Sequence, residues 1–124
     1  MGGLKLFIGL NGLFYVLYGL LGALKPAVMA GLMGWEPSLL GLHEIRAIWM
    51  AVAAAGLIIL WTMRHAGDLV PVVKAIMFVT AAFFVGRALG LVLDGAGPAL
   101  TYKEMGLEVI VIVFGFIVLR GARV

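Results

Sequence analysis

The sequence predicts an all-α protein, a transmembrane antiparallel four-helix bundle, on three observations. Of its 124 residues 65% are apolar and only 12% charged, whereas a soluble domain keeps roughly 25% charged residues. The apolar residues gather into four runs, each close to the roughly 20 residues that cross a bilayer core. All four prolines, Pro26, Pro37, Pro71 and Pro98, stand near the ends of those runs, where a missing N–H costs least. Residues 1–124 therefore read as one membrane domain.

The first span, Leu6 to Leu24, is bracketed by Lys5 and Lys25. A basic residue ahead of an apolar run also opens a signal peptide. This run exceeds the roughly 7–15 residues of such a segment, and no small-residue cleavage site closes it. Asn11, Tyr15, Tyr18 and Gly22 recur along it at helical spacing and mark an inward stripe. The connection from Lys25 to Pro37 holds Val28, Met29, Leu32, Met33 and Trp35. It is apolar enough to lie in the membrane interface rather than extend into water.

The second span runs from about Ser38 to Met63, with Ser38 placed to cap it. The third, Val70 to Leu93, meets a helix stop at Asp94-Gly95, where glycine offers the left-handed conformation. The fourth runs from about Tyr102 to Leu119 behind Thr101-Tyr102-Lys103-Glu104. That is a capping-box pattern, which gives Glu104 a structural role in the first turn. Two small-residue stripes, Ala47-Ala51-Ala55 and Ala82-Gly86-Gly90, are expected to pack helices within the bundle.

Four spans place both termini on the side of the short loop from Arg64 to Leu69. That side carries Lys5, Arg64, Lys74, Arg120 and Arg123 against Asp68. The other carries Lys25, Arg46, Arg87 and Lys103 against Glu36, Glu44, Asp94, Glu104 and Glu108. Basic residues accumulate on the cytoplasmic side, so the expectation is a multi-pass protein of the inner (cytoplasmic) membrane with both termini inside. Trp61 and Trp35 fit opposite aromatic belts.

Composition also excludes. The chain has no cysteine, hence no disulfide, thiolate metal site or thiol redox chemistry. The net charge of +3 is scattered along the borders of apolar runs, so nucleic acid is not an expected partner. His43 and His65 sit at span ends far apart in topology and suggest no metal site. No phosphate loop, nucleophile elbow or dinucleotide fingerprint is present.

What remains is charge at depth, which is costly in a helix that crosses lipid and marks candidate sites. Glu108 lies about 10 Å along the fourth helix, and Arg87 about 10 Å before the end of the third. A short-looped hairpin puts the two at one level. Glu44 and Arg46 fall in the second and third turns of the second helix, and Tyr18 reaches the same layer from the first. Glu44 and Glu108 then balance Arg46 and Arg87. Such a layer can be a salt-bridged plug that fixes helix register, or a pocket open to the outer face. The residues with candidate acid–base roles are Glu108, Arg87 and Glu44. Those with candidate ligand-binding roles are Tyr18, Arg46, Arg87, Asp94 and Glu108.

The run Gly86-Arg87-Ala88-Leu89-Gly90-Leu91-Val92-Leu93-Asp94-Gly95, then Pro98, then Glu108 in the next helix, resembles a bacterial membrane family catalogued as domain of unknown function 4345. Glu44-Ile45-Arg46-Ala47 is similar to that family's opening of helix two. The layout also resembles the broader DoxX-like group of four-helix membrane proteins. The resemblance implies that Glu44, Arg46, Arg87, Asp94 and Glu108 form one recurring constellation, without supplying a reaction or a cofactor.

The expected function is accessory: binding a lipid, a quinone or a partner membrane subunit, with a homo-oligomer as a further option. The alternative is a membrane enzyme acting on an isoprenoid, sterol-like or other lipid substrate, with Glu108 as proton donor or acceptor, Arg87 tuning it and Tyr18 positioning substrate. A transporter fits less well, because the first helix has no carboxylate near mid-membrane and no span is broken there.

Overall fold

The structure, a computed structural model, describes residues 2–36 and 38–122. Pro37, at a span boundary, and Arg123, in the charge comparison, lie outside the described residues. The described residues form α-helices α1 (Gly2–Leu24), α2 (Pro26–Leu32), α3 (Leu39–His65), α4 (Val70–Asp94) and α5 (Ala99–Ala122), and no strand. The all-α class is as expected. Four helices, all but α2, are long and apolar enough to cross a membrane. Helix α1 takes in Lys5, and α5 takes in the whole Thr101–Glu104 pattern. Apolar runs mark the lipid-compatible part of a helix, while its hydrogen bonding continues into flanking polar residues.

The chain divides into two compact units, one of residues Gly9–His65 and one of Met1–Ile8 with Ala66–Val124. In the first, α1 and α3 run antiparallel with almost nothing between them. A Cβ at Gly9 would meet Met63 Sδ at 3.4 Å, one at Gly12 would meet Leu60 Cγ at 2.8 Å, and one at Gly22 would fall on the Trp49 side chain. At Gly19 the obstacles are Ala53 N and Trp49 O; at Gly56 they are Val16 N and Gly12 O, at 2.6 and 2.7 Å. Backbone meets backbone here, as small residues in membrane helices permit. The seam on α3 is therefore Trp49, Ala53 and Gly56. The expected stripe Ala47-Ala51-Ala55 is not the seam, since Ala47 and Ala51 are exposed. Alanines every fourth residue show that one face is small; the glycine that admits a neighbouring backbone decides which face is used.

Ser38 caps α3 as expected, its Oγ accepting from Gly41 N–H at 3.2 Å. The apolar connection before it is a short helix, α2, with Pro26 in its first turn. It closes in a Schellman motif: Trp35 N–H donates to Ala30 O at 2.9 Å, Gly34 N–H donates to Gly31 O at 3.1 Å, and Gly34 takes φ 71°. Met29 and Ala30 bury against Ile45, with Tyr18, Leu21 and Trp49 packed around them. Val28, Leu32, Met33 and Trp35 remain exposed.

In the second unit α4 and α5 form an antiparallel hairpin. Asp68 Oδ1 accepts from Val70 N–H at 3.0 Å at the start of α4. The stop at Asp94-Gly95 is as expected, but Gly95 takes φ 95°, ψ −171° rather than the left-handed conformation, in a region essentially reserved for glycine. Farther along the hairpin, a Cβ at Gly115 would fall on the Met77 side chain. Phe7 meets Phe114 edge to face at 5.3 Å. The buried face of α4 is Val73, Ile76, Met77 and Thr80. The stripe Ala82-Gly86-Gly90 is not a packing seam: Ala82 and Gly86 are exposed, and a Cβ at Gly86 or Gly90 would meet nothing within 4 Å. The expected capping box does not form either. Helix α5 starts at Ala99, directly behind Pro98, whose carbonyl accepts from Thr101 N–H at 3.0 Å. Proline's fixed φ suits the start of a helix, so Thr101 lies inside the first turn and Glu104 is released from the cap.

Candidate functional site

Arg87 lies two turns before the end of α4. The hairpin register sets it against Glu104 and Glu108, which are one turn apart on the same face of α5. One guanidinium serves both carboxylates. Its Nη1 donates to Glu108 Oε2 at 2.8 Å, and its Nη2 pairs with Glu104 Oε2. The guanidinium carbon also stands 5.6 Å from the centre of the Phe83 ring, within cation–π range. The side chains of Arg87, Glu104 and Glu108 are 26%, 20% and 12% exposed, so Glu108 is the deepest of the three.

The charges do not balance, because two carboxylates share one cation. Glu108 Oε1 is buried and has no hydrogen-bond partner among the described residues. A buried acceptor without a donor costs about 1–3 kcal/mol, and charge makes it worse. The cluster can therefore take one more donor: a hydroxyl, an ammonium, an N–H or a proton held between the carboxylates. Beside it, Phe78, Val79, Ala82, Phe83, Gly86 and Arg87 line an open groove of about 530 Å³ along α4. Ala82 and Gly86 make its floor shallow, and Arg87 stands at one end.

The other expected site residues have different surroundings. Arg46 Nη1 donates to Ala23 O at 2.7 Å, answering one of the carbonyls that a helix leaves open at its C-terminus. A cation there also suits the negative end of the α1 dipole. Glu44 is exposed. Both ion pairs among the described residues belong to Arg87, so the expected balance of Glu44 and Glu108 against Arg46 and Arg87 is replaced by Glu104 and Glu108 on Arg87, with Arg46 on a carbonyl. Tyr18 is half-buried, stacked on Phe14 at 5.2 Å and edge-on to Trp49 at 5.1 Å. Asp94 is exposed as the last residue of α4. Arg87 and Glu108 come together, and Glu104 joins them. The signal for Glu104 was its position one turn before Glu108, opposite Arg87, a spacing overshadowed by the Thr-x-x-Glu pattern.

These features define an all-α protein with four helices long and apolar enough to cross a membrane and a half-buried arginine–carboxylate cluster. A family model described as domain of unknown function (DUF4345) matches residues 3–119, and the chain belongs to that family. The match includes Arg87, Glu104 and Glu108. No curated protein and no solved structure is similar to the chain.

Proposed function

We propose that this protein is a membrane-embedded accessory protein that binds an amphipathic small molecule, a lipid or a quinone, through Arg87, Glu104 and Glu108. The observation that carries the reading is the buried, unpartnered Oε1 of Glu108. The opposite oxygen is already fixed by Arg87, so the free lone pairs have a set position and a set preference for a donor. A hydroxyl or N–H on the polar end of a ligand supplies it. The apolar groove beginning at Arg87 suits the rest of such a molecule, in keeping with the usual pattern of an apolar cleft with few oriented polar groups. The excess of basic residues beside the termini supports an orientation with both termini cytoplasmic in the inner membrane. The cluster then faces the outer half of the bilayer.

The test is native mass spectrometry of wild type and Glu108→Gln released from bilayer discs, with lipids extracted in parallel. The expected result is a defined small molecule on the wild type that is lost from the variant. An empty wild type of full stability overturns the reading and leaves a protein partner as the occupant. A second reading, acid–base chemistry on an isoprenoid or lipid, draws on the two carboxylates sharing one guanidinium, a place where a proton can be held and returned. Its distinguishing result is a Glu108→Gln variant that keeps the molecule but no longer converts it.

A further inference from the structure

At the opposite end of the hairpin, α4 and α5 leave a second groove, of about 710 Å³. Met77, Phe78 and Ala81 of α4 line one wall, and Ile112 and Phe116 of α5 the other. Ala81 follows Met77 and Phe78 by four and three residues, and Phe116 follows Ile112 by four, so each wall is one helical face. Two cations complete the lining, Lys74 from α4 and Arg120 from α5. The register that sets Met77 against Gly115 brings both to the same end of the hairpin, Lys74 three residues before Met77 and Arg120 five after Gly115, about 3 Å apart in height.

Both cations are exposed, and neither has an acidic partner among the described residues, where both ion pairs are those of Arg87. Asp68, the acid nearest in sequence, is taken up by Val70 N–H. A third cation, Lys5, belongs to the same end, for the first turn of α1 lies against the last turns of α5: a Cβ at Gly3 would meet Val118 at 3.4 Å. Apolar walls leading to uncompensated positive charge at a span end match one kind of occupant in both parts. Acyl chains are complementary to the walls, and a phosphate is complementary to a lysine and an arginine side by side.

We propose that this groove is a binding site for an anionic phospholipid, its phosphate held by Lys74 and Arg120 and an acyl chain lying between Phe78 and Phe116. The two grooves share Phe78, but the cations that hold the phosphate lie at the other end of the hairpin from Arg87. Each Lys or Arg near a membrane surface favours anionic lipid by about fivefold, and two by about thirtyfold.

The experiment compares wild type and Lys74→Gln/Arg120→Gln in bilayer discs of equal parts phosphatidylcholine and phosphatidylglycerol, reading by native mass spectrometry the lipids that stay with the protein. Wild type is expected to retain phosphatidylglycerol over phosphatidylcholine by about thirtyfold, and the variant to fall to near parity. Lys74→Arg/Arg120→Lys preserves the charge and should preserve the preference. Parity in the wild type, which needs no variant to fold, overturns the proposal; so does an undiminished preference in the Gln variant. Excess inorganic phosphate should leave the lipid in place. Its displacement by phosphate would make the site one for the free anion and overturn the lipid assignment.

Discussion

Arg87 holds two carboxylates that sit one turn apart on α5, and removing it strands both. Loss of one partner from a fully buried pair costs about 3–5 kcal/mol. These side chains keep 12–26% exposure, so Arg87→Met is expected to destabilise by about 2–3 kcal/mol. Arg87→Met/Glu104→Gln/Glu108→Gln should recover most of that loss, because no charge is left unpaired; equilibrium unfolding in mixed micelles measures both. If the triple variant were as unstable as Arg87→Met, packing of the arginine stem rather than charge would hold the hairpin. Arg87 and Glu108 were legible in the sequence from depth alone, since a short-looped hairpin sets residues equidistant from the turn side by side. Glu104 was hidden by a motif that explains it equally well on paper. A capping box and an interhelical ion pair use the same carboxylate, and only the residue at which the helix starts separates them. Pro98 decides it here.

At the scale of the helix, hydropathy made all four long elements legible, and turn chemistry gave Ser38 and Gly95 their roles. Which faces meet was not legible, because small residues occur on several faces. Ala82-Gly86-Gly90 is as regular as a seam and is not one, whereas Gly56 follows a run of alanines and lies where two backbones meet. Two substitutions distinguish them. Gly56→Ala places a methyl 2.6 Å from Val16 N and 2.7 Å from Gly12 O, atoms of backbone that cannot step aside, so a loss of about 1–3 kcal/mol or more is expected. Gly86→Ala meets nothing within 4 Å and should be neutral or stabilise its helix by about 0.5–1 kcal/mol. Equal effects in thermal unfolding would contradict the assignment of the α1–α3 seam.

For the molecule as a whole, orientation rests on the distribution of basic residues, and the absence of cysteine makes it directly measurable. Gly67→Cys, between α3 and α4, and Ala96→Cys, between α4 and α5, both fall at exposed positions in short connections. With cytoplasmic termini, a membrane-impermeant maleimide should label Ala96→Cys on intact cells and Gly67→Cys only after permeabilisation; the reverse pattern would invert the topology. The two units also differ in what their contacts are made of. Where α1 meets α3, Gly19 and Gly56 bring peptide groups and Cα carbons into direct contact, and these have no rotamers to exchange when the helices shift. Where α4 meets α5 the seam runs through Met77, a side chain of several rotatable bonds suited to irregular gaps, and through the long arms of Arg87, Glu104 and Glu108. The first pair is a stiff member and the second a compliant one. Both grooves described above are carried by the compliant pair, so adjustment to molecules of different girth is available beside them.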